Sequence, residues 1–444
     1  MQSAKDQVQA HQFTERRLAA ALVLGDATGA VAPARRAAVG VIFGVVVLIL
    51  GAGGFFVFGL LSPGASTAWR EPGSIIVEEE TGSRYVFADG VLRPTRNLAS
   101  AALATEGLKI VSVPGKSLAG VPRGAPLGLL DAPEVLPRAS ALHPGPILMC
   151  VPTKANDAAT TVVLDATVRA APVAVPDVAS VVGPDGERYL VADGRRHAVT
   201  DRSAETALGM DAVPPVPVSE VWLDTVPLAA PVAPYRPPQE GAAALPVAGS
   251  DTSVGELFRV DGGGARYYLM LSDGLAALSP TDFALSSAED DNVRTVTASE
   301  VAEVKRSETS LVGRMPDLRD MRYLRPDGAA LCATAVPFGA PALSLVDPRV
   351  LRPGTLDSVA VALQPGGGML AVPASVADQE QASTQVLITE PGVRYSLAGD
   401  REAVALGYGS ATPRVVPNVV LDALPAGVRL SIAAVSTQNG TGGG

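Results

Sequence analysis

The motif Gly-x-Arg-Tyr occurs four times in the 444 residues, and this self-similarity constrains the fold more than any other feature. In the first three copies, β-prone residues follow the motif and lead to Asp-Gly, a dipeptide that favours a type I′ turn. The fourth copy lacks the Asp-Gly ending. Each copy is therefore predicted to form the hairpin of a small sheet, with its tyrosine packed at the hairpin edge. The motif residues are Arg84 and Tyr85, Arg188 and Tyr189, Arg266 and Tyr267, and Arg394 and Tyr395.

A helix-like stretch follows the hairpin, as at residues 97–104 and 203–210, and a segment with a Pro-rich ending comes next. The endings at 215–232 and 415–431 share Leu-Asp-x-(Val/Leu)-Pro, and we predict that each contains a further strand. The 37 prolines and 45 glycines agree with many short elements and frequent turns. The pattern predicts four small α/β repeats of about 60 to 75 residues.

One long apolar segment precedes the repeats. Residues 37–61 contain no charged or strongly polar side chain, and a helix of this length, about 37 Å, crosses a bilayer core with some tilt. The alternatives are a cleaved signal peptide, which has a shorter apolar stretch nearer the N-terminus, and a buried helix. We predict a retained transmembrane helix.

The charges that flank this segment predict its orientation. Arg35 and Arg36 abut its N-terminal end, whereas the other flank offers Arg70 followed by several glutamates. The positive-inside rule then places the N-terminus in the cytoplasm and the repeats outside the plasma membrane. Trp69 is expected at the outer headgroup level. Gly40 and Gly44 form a G-x-x-x-G pair, which predicts packing against another membrane helix.

Two inserts lengthen the repeat array, because successive motif tyrosines are 104, 78 and 128 residues apart. Each insert holds an apolar run around a cysteine, and the segments 160–168 and 358–374 are β-prone. The predicted fold class is α+β: a single N-terminal transmembrane helix, then an elongated ectodomain of four small α/β repeats around a central β domain. The predicted parts are a cytoplasmic helix segment (1–36), the transmembrane helix (37–61), the first repeat (62–143), the central β domain (144–178 and 326–376), the second repeat (179–248), the third repeat (249–325), the fourth repeat (377–435) and a disordered tail (436–444).

The chain has two cysteines, Cys150 and Cys332. An even count outside the membrane suits one disulfide, which would close a loop of about 180 residues and contribute roughly 5 kcal/mol in the chain-entropy model. Two separate buried thiols are the alternative. A metal site is not expected, because no second cysteine or histidine lies near either residue.

Charge limits the kind of partner. The net charge of the chain is −10, and the first 61 residues carry +2, so the remainder carries −12. An acidic ectodomain is a poor match for nucleic acid or anionic lipid.

No sequence pattern supports catalysis. Gly115-Lys116-Ser117 has the end of a P-loop, but Ile110 stands where the upstream glycine is required. His143 and His197 are the only histidines after the apolar segment; the sequence contains no G-x-S-x-G elbow, and His197 is expected in a solvated loop. The charge run at 289–291 lacks EF-hand spacing. We predict no catalytic residues, no metal site and no cofactor.

The N-terminal stretch, with Gln7, Phe13, Arg16, Arg17 and Asp26, resembles the signature that opens EccB proteins. Residues 97–103 are similar to the family's Asn-Leu-x-Ser-Ala-x-Leu, and residues 121–137 are similar to its Gly-rich stretch that ends in Ala-Pro-x-x-Leu-Pro. The resemblance covers nearly the whole chain, although the second and third repeats drift from the first.

The resemblance implies a structural subunit of the type VII (ESX) secretion machine. Such proteins assemble with EccC, EccD and EccE in the plasma membrane, alongside a mycosin protease, and export WXG100-type proteins. Their ectodomains gather on the outer face of the membrane, and EccC carries the ATPase domains. Phe13, Arg16 and Arg17 are then the expected cytoplasmic contacts. Two other hypotheses remain, an extracytoplasmic nucleotide hydrolase and a peptidoglycan-anchoring module.

Overall fold

The computed structural model describes residues 4–24, 33–61, 68–154, 157–165, 167–173, 177–261, 264–289, 292–318, 321–377 and 384–437. The chain divides into two compact units, Met1–Ala68 with Val113–Ala119, and Trp69–Ser112 with Gly120–Gly444.

Two helices begin the chain, α1 (Ala4–Leu24) and α2 (Pro33–Leu61). Helix α2 contains the predicted span and begins four residues before it, at a proline, which suits the first turn because its missing N–H has no helical partner there. The stretch Ala38–Phe55 is entirely exposed, and α2 is the one helix among the described residues long and apolar enough to cross a membrane.

The first repeat forms a four-stranded sheet in the order β3-β2-β1-β4. Its helix begins where the Asn97 side chain accepts a hydrogen bond from the Ser100 N–H at 2.9 Å, and it ends at Glu106, which has a positive φ. The elements are β1 (Ser74–Glu78), β2 (Arg84–Ala88), β3 (Val91–Pro94), α3 (Leu98–Thr105) and β4 (Lys109–Val113).

The second repeat follows the first three strands of the central domain. Its sheet has the order β10-β9-β8-β11, and β11 pairs parallel to β8. The elements along this part of the chain are β5 (Ile147–Val151), β6 (Thr160–Val163), β7 (Ala171–Pro172), β8 (Asp177–Val182), β9 (Arg188–Ala192), β10 (Arg195–Val199), α4 (Arg202–Ala207), β11 (Val216–Pro217) and α5 (Glu220–Thr225).

The third repeat has the same sheet order, β14-β13-β12-β15, again with a parallel last strand. Its elements are β12 (Leu257–Val260), β13 (Arg266–Leu271), β14 (Gly274–Leu278), α6 (Pro280–Glu289), β15 (Val293–Val296) and α7 (Ala298–Glu303).

The central domain is a six-stranded sheet in the order β19-β6-β5-β17-β18-β7, built from both inserts. The short strand β16 precedes the later strands of the central domain in the sequence, but it pairs with β8 of the second repeat. The elements are β16 (Arg322–Tyr323), β17 (Ala330–Ala335), β18 (Leu343–Val346) and β19 (Val359–Ala362).

The fourth repeat completes the pattern with the order β22-β21-β20-β23. The assignment of residues 326–376 to the central domain is wrong at its end, because β20 pairs with β21 and β23 of the fourth repeat. The elements are β20 (Gly368–Pro373), β21 (Val386–Thr389), β22 (Arg394–Ser396), α8 (Asp400–Ala405), β23 (Arg414–Val416), α9 (Asn418–Ala423) and α10 (Ile432–Thr437).

The strands predicted at 215–232 and 415–431 are present as β11 and β23. The shared Leu-Asp-x-(Val/Leu)-Pro sequences follow these strands and end helices α5 and α9; in α5 the Ser219 side chain accepts from the Trp222 N–H at 3.1 Å and starts the helix. One further local prediction is corrected. Ser436 and Thr437 belong to α10, so the predicted disordered tail begins too early; its remainder, 438–444, lies outside the described residues.

The repeats pack in two pairs, the first with the fourth and the second with the third. Helix α3 of the first repeat packs on α8 and α10 of the fourth, and α4 of the second packs on α6 of the third. One face of the central sheet shares a core with the second and fourth repeats. There the buried Trp222 donates from Nε1 to the carbonyl of Met149 at 3.0 Å.

Candidate functional site

The hairpin turns of the first two repeats have the predicted type I′ geometry. Asp89 and Gly90 have φ values of 54° and 79°, and Asp193 and Gly194 have 49° and 68°. Both central residues of such a turn need a positive φ, which Asp-Gly tolerates.

Backbone pairing shows which tyrosines are equivalent. In each of the first three repeats, one residue of the third strand forms an isolated parallel bridge with a later loop. These residues are Leu92, Arg196 and Leu275. The residues that pair with them on the second strands are Phe87, Val191 and Met270, respectively. The residue two positions before each partner is the equivalent tyrosine. These tyrosines are Tyr85, Tyr189 and Tyr268, and all three are buried.

The choice of Tyr267 as the motif tyrosine of the third repeat is therefore wrong by one residue. Tyr267 is half-buried and stacks on Phe283, with ring centroids 4.0 Å apart. Tyr268 lies under the Arg306 guanidinium, 4.5 Å from the ring centroid, as Tyr85 lies under Arg123 at 4.6 Å.

The fourth copy of the motif is not equivalent to the others. The parallel bridge in this repeat meets Arg394, so Arg394 and Tyr395 occupy the third strand, β22, and the second strand is β21. Helix α8 follows β22 after a short loop, which explains why no Asp-Gly turn comes after this copy.

The motif arginines do not form a common site, and three of them contact groups of their own repeats. Arg84 pairs with Glu134, Arg188 pairs with Glu205 at 2.7 Å, and Arg394 donates from Nε to the carbonyl of Leu424 at 3.2 Å. Arg266 is exposed. These contacts stabilise individual repeats.

The predicted membrane and cytoplasmic contacts lie on exposed helix surfaces. Phe13, Arg16 and Arg17 lie within little more than one turn of α1, and Phe13 is 66% exposed. A Cβ added at Gly40 or Gly44 of α2 would meet no atom within 4 Å. Their roles stay predictions.

Trp69 is not an interfacial anchor. It is a core residue of the first repeat, 2% exposed, with its ring edge-on to Phe87 at 5.2 Å between centroids. The sequence near a predicted membrane exit favoured an interfacial tryptophan, but burial against β2 gives the ring a larger apolar contact.

The residues considered for catalysis are dispersed. Lys116 lies in a four-residue 3₁₀ helix, Gly115–Leu118, directly after Pro114. His143 is buried, and His197 is a buried residue of β10 whose Nδ1 lies 2.7 Å from the carbonyl of Ala230, so the solvated-loop prediction is wrong. Two residues of the charge run, 290 and 291, lie outside the described part of the chain, and within that part no group of three or more His, Cys, Asp or Glu side chains could hold a metal ion.

One concave surface was not predicted. A groove of about 590 Å³ lies where the 131–137 loop of the first repeat meets the fourth repeat at residues 366–367, 389–391 and Tyr395. The Gly-rich stretch at 121–137 was recognised in the sequence, but its partner surface comes from residues more than 200 positions later and is brought there only by folding.

The fold defines a class: a membrane-anchored protein with one apolar helix followed by four small α/β repeats around a disulfide-bonded central sheet. The family model described as "Type VII secretion system ESX-1, transport TM domain B" matches residues 2–441, and the chain belongs to this EccB family. The predicted family and the predicted α+β fold class are confirmed. As a family member, the chain is a structural subunit of a type VII secretion system.

Curated relatives and solved structures agree. The chain is 29% identical to the "ESX-3 secretion system ATPase EccB3" of Mycolicibacterium smegmatis, over 96% of this chain and 89% of that protein. It is 26% identical to the protein of the same name from Mycobacterium tuberculosis, over 91% and 82%. The EccB3 dimer from the ESX-3 core complex superposes with a TM-score of 0.63 at 26% identity, covering 81% of this chain and 99% of that one. A chain of an intact ESX-5 inner membrane complex gives 0.65 at 22% identity, covering 98% and 95%, and shows the shared fold.

Proposed function

We propose that this subunit is anchored in the plasma membrane by α2, with α1 in the cytoplasm and the repeats outside, and that it assembles with EccC, EccD and EccE, a mycosin protease and further copies of itself to export WXG100-type proteins. The observation that carries the proposal is the coexistence, in one family member, of a fully exposed apolar helix and a complete four-repeat domain. Relatives of the same fold are described as parts of an ESX-5 inner membrane complex and as an EccB3 dimer.

Two independent features support this orientation. Arg35 and Arg36 lie in the first turn of α2, where the positive-inside rule favours the cytoplasmic side. The bond between Cys150 and Cys332 suits an oxidising compartment, which lies outside the plasma membrane.

Hydrolysis is not part of the proposal, although curated relatives carry the word ATPase in their names. A P-loop needs a Gly-rich loop whose backbone N–H groups surround phosphates ahead of a helix. Here Lys116 follows Pro114, which has no N–H, and its 3₁₀ helix spans four residues. Phosphate release from ATP by the purified full chain, lost on Lys116→Ala, would favour the hydrolase. Sedimentation of the full chain with cell-wall sacculi would favour the anchoring module.

The test of assembly is a mild-detergent pull-down of the tagged full-length protein from its native cell, followed by mass spectrometry. Recovery of EccC-, EccD- and EccE-like proteins in a megadalton particle is the expected result. Recovery of the chain alone, or with wall material only, would contradict the proposal.

Matched variants in the same pull-down test the two predicted contact surfaces. Charge reversal at Arg16 and Arg17 should reduce recovery of cytoplasmic partners, whereas Lys5→Glu on the same helix should not. Gly40→Leu with Gly44→Leu should reduce recovery of membrane partners. Gly53→Leu is the control, since nine residues at 100° each place it on the face of α2 opposite Gly44. Unchanged assembly in either test variant would remove that surface from the proposal.

A further inference from the structure

Hydrogen bonds and close contacts hold the first and fourth repeats together at the groove. The main-chain N–H of His143 donates to the carbonyl of Gly368 at 2.7 Å, and the buried Tyr408 donates its hydroxyl to the carbonyl of Pro137 at 2.8 Å. A Cβ at Gly368 would lie 2.5 Å from Pro137 Cγ, so the two repeats are in close contact here. The groove is therefore a preformed surface.

The charge of the groove is negative. Asp131, Glu134 and Glu390 line it, and none of the described lining residues is a lysine or arginine. Glu134 pairs with Arg84 at the rim, and Glu390 accepts from the Gly366 N–H at 2.6 Å. The carboxylate of Asp131 makes no hydrogen bond or ion pair in the part of the chain that the structure describes, so it is available to a partner.

A tyrosine side chain lines the same space. Tyr395 is 7% exposed and lines the groove, yet its hydroxyl has no hydrogen-bond partner among the described side chains and backbone groups. Burial raises the pKa of Tyr395, and the nearby Asp131 carboxylate raises it further, so the hydroxyl is neutral near pH 7. A ligand that supplies a hydrogen-bond donor can pair with the oxygen of this hydroxyl.

Most of the remaining side chains that line the groove are apolar, including Pro133, Val135, Pro137 and Pro391. Val135 is 66% exposed. The combination of apolar walls, a hydroxyl acceptor and unpaired negative charge matches a side chain with an aliphatic stem and a cationic, donor-rich head. Arginine has both, and its guanidinium carries five N–H donors.

We infer that the groove between the first and fourth repeats docks an arginine side chain of an extracytoplasmic partner protein, with the guanidinium held by Asp131 and the Tyr395 hydroxyl. The inference goes beyond the proposed assembly role. The extracytoplasmic location of the partner rests on the proposed orientation, whereas binding of arginine in the groove is tested on the purified protein.

The experiment is isothermal titration of the full-length protein in a neutral detergent at low ionic strength. The probe is the peptide acetyl-Pro-Val-Arg-Val-Pro-amide, compared with the same peptide carrying citrulline, which keeps the shape of arginine without its charge. We expect the arginine peptide to bind at least about tenfold more tightly and to lose affinity as salt is added.

Two conservative variants locate the binding. Tyr395→Phe keeps the buried ring and removes the hydroxyl, and Asp131→Asn keeps a residue that tolerates the φ of 60°. Each should weaken the arginine peptide by about tenfold, with unchanged circular dichroism. Asp357→Asn, an exposed carboxylate of the central domain, and Tyr189→Phe of the second repeat are the matched controls and should bind normally.

Three results would overturn the inference. They are equal binding of the arginine and citrulline peptides, full binding by the Tyr395→Phe, Asp131→Asn double variant, and no binding of the arginine peptide at millimolar concentration. If a second copy of the chain covers the groove, the peptide will fail to bind and the two variants will instead change the monomer–dimer balance in sedimentation velocity.

Discussion

Cys150 on β5 and Cys332 on β17 lie directly opposite each other in an antiparallel strand pair, although 182 residues separate them in the sequence. Both side chains are fully buried on one face of the central sheet. The strands also pair over three further residues on one side of the bond and one on the other. The bond therefore tethers an interface that hydrogen bonds and packing already define, and the second and third repeats lie inside the loop it closes.

Replacing both cysteines with alanine should destabilise the ectodomain without changing its fold. The loop is long, so the chain-entropy model gives a loss of about 5 kcal/mol, within a usual range of about 2–5 kcal/mol for a native disulfide. Urea unfolding of the full-length protein in detergent measures it. As a control, reductant alone should leave the folded wild type intact, because both sulfurs are buried. Reductant present during urea unfolding should lower the midpoint of the wild type and should not change that of the double variant. An unchanged midpoint in the variant would contradict the prediction.

Equivalent turn glycines in the first two repeats should differ in cost. A Cβ at Gly90 meets nothing within 4 Å, whereas a Cβ at Gly194 would lie 2.5 Å from the carbonyl oxygen of Pro341 in the central domain. Both have a positive φ. Gly90→Ala should therefore cost about 1–2 kcal/mol from backbone strain alone, and Gly194→Ala should cost about 1–3 kcal/mol more from the collision. Thermal unfolding of the two variants side by side tests this, and equal losses would show that the repeat–sheet contact at Gly194 is loose.

Two variants of the third repeat test whether Tyr267 or Tyr268 is the tyrosine equivalent to those of the other repeats. Tyr268→Ala removes a buried ring under Arg306 and should cost about 3–5 kcal/mol. Tyr267→Ala removes a half-buried ring stacked on Phe283 and should cost about 1–2 kcal/mol. Urea unfolding of both variants gives the comparison. A larger loss at Tyr267 would favour the equivalence that the motif alone suggested.

These tyrosines show which parts of the fold were predictable. The Asp-Gly turns of the first two repeats are local, and the residues at the turn specify them. In the third repeat Gly274 pairs with Leu271 and belongs to β14, so the same dipeptide does not form the predicted type I′ turn. Two adjacent tyrosines after Arg266 offer two registers, and only pairing with β12 and β14 selects one. The disulfide was predictable because the chain has one possible pair. The groove was not, because Asp131 and Tyr395 meet only when the first repeat packs on the fourth.

A buried ion pair of the third repeat, between Asp282 and Arg314, also contacts the second repeat. Asp282 is fully buried in α6, accepts from Ser279 Oγ at 2.6 Å, and accepts from Arg314 Nη2 at 2.5 Å; the same guanidinium donates to the carbonyl of Ala233 at 2.6 Å. Arg314→Leu leaves a buried carboxylate without its cation and should cost about 3–5 kcal/mol.

Two comparisons make the Arg314 prediction specific. Adding Asp282→Asn to Arg314→Leu should recover part of the stability, because it removes the unpaired charge. Lys109→Ala breaks the exposed pair with Glu71 and should leave the urea midpoint nearly unchanged. If the Arg314 and Lys109 variants unfold at the same urea concentration, the buried pair does not stabilise the protein more than the exposed one.

His197 should make the ectodomain less stable in acid. Burial lowers the pKa of its imidazole below the ordinary value of 6.5, against the opposing effect of the hydrogen bond with the Ala230 carbonyl. The unfolded chain therefore binds a proton as the pH falls through 6.5, while the folded chain does not until a lower pH. Stability is full above this value and is lost in the window between the unfolded pKa and the lower folded pKa. His197→Gln, which keeps a donor for the Ala230 carbonyl, should flatten the dependence of the urea midpoint on pH between 7 and 5. The same slope in the variant and the wild type would assign the acid sensitivity to other groups.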